Sequence, residues 1–441
     1  MTRMRSLARN WRILSGSGLL LSSLAGLMVG VLQAAPPPPA YPQDYRLPGF
    51  AFPEPGGRYP VGTLPFVVAV PGGEPLRVIA WYPAEDAPGP GAPYLEEAEQ
   101  RIQAPAIARN FGLPPGALSG IAVLPTHSRS GAGVASGRFP LLIYSHGYMS
   151  YPRDNSVLFA RLASKGYIVL SLAHPGDAAD IPTASGEIPT IPAQGQKQPD
   201  AGRLSAFWNG HDDHLRMKAR RGFWRAMRGG RLLESLARWR SDIIRLADAV
   251  QAGTVPREAQ PIVQVADVKR MAYGGWSFGG SSSASACQID RRCRAAFNLD
   301  GFEFDRHLYD RRMRAPVMLI QSDWSAFPNM GPPSTDYTIY DYAYERWHDA
   351  GRAPSVHRFR ISGVRHLGLT DLVLAPRDPV RDRIFGPADG PAVVHAVDGL
   401  VGAFLDRTLK DQPVDIAAVA ASLPGIERHE ATEISRWHHG R

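Results

Sequence analysis

Short, continuous apolar runs recur along the chain, each closed by a polar or glycine-bearing stop: residues 139–144, 167–172, 271–276, 295–299 and 316–321. Runs of this kind fit strands buried on both faces, as in a parallel sheet. Between them the periodicity lengthens. In residues 155–165, Leu158, Phe159 and Leu162 share a face and Gly166 supplies a stop, which predicts a helix. Leu232, Leu236, Trp239, Ile243, Leu246 and Val250 recur at alternating steps of four and three, the mark of an amphipathic helix packed on a sheet. Residues 393–409 predict a final helix with an apolar face. The order strand, helix, strand across 139–172 makes a parallel crossover. Residues 64–70 and 76–82 are β-rich and joined by Pro71-Gly72-Gly73-Glu74-Pro75, which predicts an antiparallel hairpin at a sheet edge. Residues 356–361 alternate apolar and polar positions, a further strand.

Two stretches interrupt this alternation. Residues 85–138 are rich in glycine and proline, with a helix predicted near 95–109, and read as a wall beside a site. Residues 177–231 begin polar and proline-bearing. They end with Phe207, Trp208, Phe223 and Trp224 among Arg216, Arg220, Arg221, Arg225 and Arg228. Two readings of that second half stand: a solvated cap helix with snorkelling arginines, or a face resting peripherally on anionic lipid. His211-Asp212-Asp213-His214 reads as a polar helical face rather than a metal site. The expected organisation is therefore a lead-in over 36–60, one domain over 61–412 carrying the insertions 85–138 and 177–231, and a tail over 413–441.

Residues 1–35 read as a secretory signal, with a basic start, an apolar run over 13–31 and a cleavage site near 32–35. An uncleaved membrane anchor is the alternative, because the apolar run is long. A periplasmic or secreted protein is thus expected. Half of the formal charge of +8 lies in Arg3, Arg5, Arg9 and Arg12, ahead of the first acidic residue. The remainder implies no nucleic-acid partner, and no binding signature accompanies it. The two cysteines, Cys287 and Cys293, are close enough in sequence to pair in an oxidising compartment.

The reactive candidates fall at the ends of the apolar runs. Gly275-Trp276-Ser277-Phe278-Gly279 matches Gly-x-Ser-x-Gly, with a strand before it and small, helix-compatible residues after it. That is the pattern of a nucleophile elbow, which lifts a serine hydroxyl above a sheet. Asp300 and Asp323 each follow a later strand, and His366 follows a further strand and a glycine-bearing turn. Serine, acid, histidine is the chain order of α/β-hydrolases. The predicted fold class is accordingly α/β: an α/β-hydrolase fold with a mostly parallel central sheet flanked by helices, its two insertions forming a cap or site wall. A serine hydroxyl needs a base within reach, and His366 can fill that role with a carboxylate to orient it. Backbone N–H groups of Phe278 and Tyr148 are the expected oxyanion donors. His146 is expected to orient the loop that bears Tyr148. This chemistry requires no cofactor and no metal.

The set Tyr144-Ser145-His146-Gly147, Gly275-Trp276-Ser277-Phe278-Gly279-Gly280, Asn298-Leu299-Asp300-Gly301 and Gly363-Val364-Arg365-His366 resembles the platelet-activating factor acetylhydrolase family, the secreted and type II enzymes. The resemblance implies a catalytic triad of Ser277, Asp300 and His366, with the acid after the strand that follows the elbow helix. Many other α/β-hydrolases carry the acid one strand later, at the position of Asp323. It implies a calcium-independent lipase or esterase that removes short or oxidised acyl chains from phospholipid and other small-molecule esters. The sequence departs from the family pattern at Trp276, where histidine is frequent, and in its arginine-rich cap. A Gly-Trp-Ser elbow also occurs in secreted polyester hydrolases of the cutinase type.

Overall fold

The computed structural model describes residues 50–71, 73–85, 89–192, 213–302, 305–310, 313–323, 355–377 and 379–428. The N-terminal segment, His211, Asp212, Phe207, Trp208 and the last residues of the tail lie outside these. No described helix is long and apolar enough to cross a membrane.

Ten strands among the described residues form one sheet. They are β1 (Val61–Val68), β2 (Leu76–Pro83), β3 (Ser128–Ser130), β4 (Phe139–Ser145), β5 (Ile168–Leu172), β8 (Ala266–Trp276), β9 (Cys293–Leu299), β10 (Val317–Gln321), β11 (Val356–Ile361) and β12 (Ile426–Arg428); β6 (Ile181–Thr183) and β7 (Gly186–Ile188) make a separate hairpin. The sheet order is β12-β11-β10-β9-β8-β4-β5-β2-β1-β3. From β11 to β5 every neighbouring pair is parallel. All the strands of that block therefore end at one rim, where open α/β sheets place their ligands.

Pleating divides β4 between two cores. Leu142 and Tyr144 enter the cluster that holds Phe159, Leu162, Val397 and Phe404, whereas Leu141 and Ile143 enter the one that holds Ile243, Leu246 and Val250. That period of two is why a continuous apolar run suits a strand covered by helices on both sides. Leu141, Leu142 and Ile143 are fully buried, each contributing roughly 1.5–3 kcal/mol of transfer free energy. The helices Ser156–Ser164 and Gly390–Leu409 cover one face, and Arg231–Ala252 covers the other.

Three expectations need correction. The hairpin of β1 and β2 is antiparallel, but it is not the edge. The first insertion returns as β3 and pairs with β1 in parallel. That insertion is also no mere wall. Its helix, Glu97–Phe111, sets Ile107 and Phe111 in the main core, and its buried Glu99 is held by Arg77 at 2.8 Å and Arg153 at 2.7 Å. Last, the boundary placed at 412 cuts through the folded domain. The helix Ile416–Ala421 packs there, and β12 adds to β11 with Glu427 accepting from Ser362 Oγ at 2.7 Å. The polar tail lacked a run long enough to signal a three-residue edge strand.

Candidate active site

β8 stops at Trp276 and the helix Phe278–Ile289 begins two residues later. Ser277 between them has φ 56° and ψ −127°, a sparsely populated conformation that costs on the order of 1–3 kcal/mol. Its neighbours permit the turn only because they lack side chains. A Cβ on Gly279 would lie 2.0 Å from the Ser145 carbonyl oxygen, and one on Gly275 2.4 Å from the same atom.

The rim brings Ser277, His366 and Asp300 into one chain of hydrogen bonds. His366 Nε2 lies 2.8 Å from Ser277 Oγ, and His366 Nδ1 lies 2.6 Å from Asp300 Oδ2. His366 sits on a single 3-10 turn, His366–Leu369, beyond β11. Asp300 follows β9 with φ 57°. Asn298 holds that turn, accepting from Gly301 N at 2.7 Å and donating to Gly301 O at 3.0 Å. Ser322 adds two donors to the carboxylate, its N to Oδ1 at 3.0 Å and its Oγ to Oδ2 at 2.5 Å. Burial pushes the Asp300 carboxyl upward, but the bond and charge of His366 and the bonds from Ser322 outweigh it, so it stays below the ordinary aspartate value. Asp323 does other work: its Oδ2 accepts from Gly363 N at 2.8 Å, and it pairs with Arg360 at 3.5 Å. It thereby anchors the turn that leads to His366.

Phe278 opens its helix, so its N–H is among those with no intrahelical acceptor. Tyr148 sits on a tight turn closed by Ser150 N to Gly147 O at 3.0 Å, next to Met149 at φ 64°. Its ring packs 5.5 Å from that of Phe278. His146 is fully buried and accepts from His174 N at 3.3 Å; its Nδ1 lies 2.6 Å from Gly147 O. Burial, and then the neighbouring His174, push its pKa down to about 3, so it is a neutral strut for this loop.

Sequence reasoning missed the supports. Trp276, fully buried, donates its Nε1 to the carbonyl of His366 at 3.1 Å. Beneath the Tyr148 loop lies a second, sealed Ser-His-Asp chain. His174 Nε2 is 2.7 Å from Ser145 Oγ, and its Nδ1 is 2.9 Å from Asp242. None of the three is more than 4% exposed, so no substrate reaches them. Burial drives His174 well below its usual value and Asp242 up to about 7, favouring the uncharged forms. Trp239 stacks on His174 at 3.8 Å and donates to Asp177 at 2.8 Å, while the Asp177 carbonyl accepts from Met149 N at 2.7 Å. The helix Arg231–Ala252 thus holds the loop of Tyr148. The rule that selected His146, a polar residue just past a parallel strand, also selects His174 after β5.

The cap helix, Asp213–Ala226, turns its apolar side inward. Phe223 is fully buried with Trp239 and Phe278, and Trp224 is half-buried against the same cluster. The ring of Phe223 is therefore inside the core, whereas Trp224 stays partly accessible. Among the described residues no group of His, Cys, Asp and Glu side chains could hold a metal ion. Cys287 and Cys293 are joined as a disulfide with Cα atoms 5.2 Å apart, tying the elbow helix to β9.

Residues 120–219 match the family described as platelet-activating factor acetylhydrolase, isoform II. That stretch holds β4, the Tyr148 loop and His174, whereas Ser277, Asp300 and His366 lie outside it. No curated protein matches the sequence significantly. Among solved structures, a ferulic acid esterase from Streptomyces cinnamoneus superposes with a TM-score of 0.59, covering 86% of this chain and 99% of that one at 20% identity. At that identity the likeness speaks to the fold. The chain therefore has an α/β-hydrolase fold, and residues 120–219 of it are similar to platelet-activating factor acetylhydrolase, isoform II.

Proposed function

We propose that the chain cleaves short or modest acyl groups from carboxylic esters, phospholipids among them, through an acyl-enzyme on Ser277. The observation that carries this reading is the pair of distances at His366, 2.8 Å to Ser277 Oγ and 2.6 Å to Asp300, at an elbow serine with positive φ. His366 Nε2 takes the proton of Ser277 as its oxygen attacks the ester carbonyl, and later returns it to the leaving alcohol. Asp300 fixes the imidazole with its proton on Nδ1 and balances the imidazolium. The N–H groups of Phe278 and Tyr148 receive the oxyanion, and losing one such donor typically costs about 10²–10³ in turnover. Trp276 and Ser322 keep His366 and Asp300 in register. Water then takes the place of the alcohol, with His366 as base again.

Phe278, Trp239, Tyr148 and Phe302 form one aromatic cluster. It supports an apolar acyl or alcohol group beside Ser277. The basic, apolar start of the chain and the disulfide favour export to an oxidising compartment. The Gly-Trp-Ser elbow makes polyester film a second substrate to test. A fluorophosphonate probe should label the wild type on Ser277 and leave Ser277→Ala unlabelled; an unlabelled wild type would mark a hydrolase fold used only for binding. Across nitrophenyl esters from acetyl to palmitoyl, kcat/KM should fall with chain length. A maximum at the long end would refute the acyl limit.

A further inference from the structure

A cleft of about 650 Å³ opens between the helices Asp213–Ala226 and Arg231–Ala252 and the segment 305–307. Arg221, Arg225, Arg228 and Arg306 line it with exposed side chains, and Trp224 and Leu236 form an apolar floor. Asp305 is the one carboxylate on its wall among the described residues. It is already engaged: it accepts from Ser285 Oγ at 2.6 Å and His307 N at 3.0 Å, and pairs with Arg240. The exposed guanidinium groups of Arg221 and Arg225 place positive charge over an apolar base. Guanidinium forks match the geometry of phosphate and carboxylate oxygens.

Two features favour a discrete anion over a lipid plane. The surface is concave, as small-molecule sites are. The aromatic side of the cap helix faces the core, whereas an interfacial helix turns such rings outward. The cleft also adjoins the catalytic wall. Trp224, Leu233 and Leu236 belong to the cluster of Phe278 and Phe302, and the ring of Phe302 lies 6.4 Å from that of His366. Asp305 follows Phe302 by three residues, a Cα span of at most roughly 11 Å.

We propose that this cleft binds an anionic substituent, a phosphate or carboxylate group, carried by the ester whose acyl group reaches Ser277. The proposal rests on the ester-hydrolase reading for the second half of that sentence, and the two parts are tested separately. Calorimetric titration of the full chain with inorganic phosphate at low ionic strength should give saturable binding. In the double variant Arg221→Ser, Arg225→Ser the Kd should rise at least tenfold. For hydrolysis, the KM for an acetyl ester of glycerol 3-phosphate divided by that for 4-nitrophenyl acetate should rise at least tenfold in the variant.

Absence of phosphate binding by the wild type, or equal binding by the variant, overturns the site. Phosphate binding with an unmoved KM ratio overturns its role toward substrate and leaves a free-anion site. Sedimentation with phosphatidylglycerol vesicles without binding of soluble phosphate overturns the proposal in favour of a lipid surface. If the wild type hydrolyses neither ester, the hydrolase reading fails, and the titration still decides whether the cleft holds an anion.

Discussion

Replacing Asp300 with asparagine should cost far more than the loss of one charge. The backbone tolerates the change, because asparagine, like aspartate, adopts positive φ readily. The neighbours then decide how the amide lies. Ser322 N–H, a fixed donor, points at Oδ1 from 3.0 Å. The amide oxygen must occupy that position, which places the NH₂ where Oδ2 now faces His366 Nδ1 at 2.6 Å. His366 Nδ1 becomes an acceptor, and its proton moves to Nε2, the atom 2.8 Å from Ser277 Oγ. A base that already carries a proton cannot take another, and wrong-tautomer substitutions of this kind lower turnover about 10⁴-fold, or roughly 5.5 kcal/mol in the barrier. Asp323→Asn is the control. Its amide oxygen can still accept from Gly363 N, so turnover should stay within about tenfold. The assay is kcat/KM for 4-nitrophenyl acetate, with concentrations set by active-site titration. Asp300→Asn within tenfold of the wild type, or a larger loss in Asp323→Asn, would refute the reasoning.

Three further outcomes are expected. Trp276→Phe removes the donor to the His366 carbonyl, and an unpaired buried carbonyl costs roughly 1–3 kcal/mol; urea unfolding should show the loss, and kcat should fall more than KM changes. An unshifted midpoint together with an unchanged kcat would contradict this. Replacing both Cys287 and Cys293 with alanine opens a loop with a sequence separation of 6, for which chain entropy gives about 2 kcal/mol, measurable by denaturation with the esterase activity at 25 °C as the test of an intact site. Burial, against hydrogen bonds from Ser150 and Gly147, raises Asp154 to about 7, so the native state binds a proton that the unfolded chain releases near pH 4. Its contribution, on the order of 4 kcal/mol, is full below pH 4 and lost as pH rises toward 7; Asp154→Asn should flatten that part of the stability profile, and an unchanged slope would refute it.

Much of the site was legible because its parts lie at strand ends. An apolar run of five or six residues with a polar stop is enough to place Ser277, Asp300 and His366 on one rim. What choosing between Asp300 and Asp323 required was a turn geometry: Asn298 bends the chain at Asp300, and Gly363 holds Asp323 at the base of the next loop. A list of strand ends carries no such information. The supports were hidden for a different reason. Trp276 and Trp239 read as core residues, and they are core residues; only their N–H groups, aimed at one carbonyl and one carboxylate, give them a second role. Phe223 and Trp224 left two readings open because an aromatic beside arginines has the same pattern whether its ring faces lipid or a neighbouring helix.

Among the described residues, both side edges of the sheet are strands of only three residues, β3 on one side and β12 on the other. Open strand edges recruit other chains, and a short, charged border offers them little to copy. A protein truncated after residue 412 would lose that guard and bare β11, the strand that leads into the turn of His366. Such a fragment should clump while it folds, so the closing stretch of the polypeptide serves solubility as much as shape.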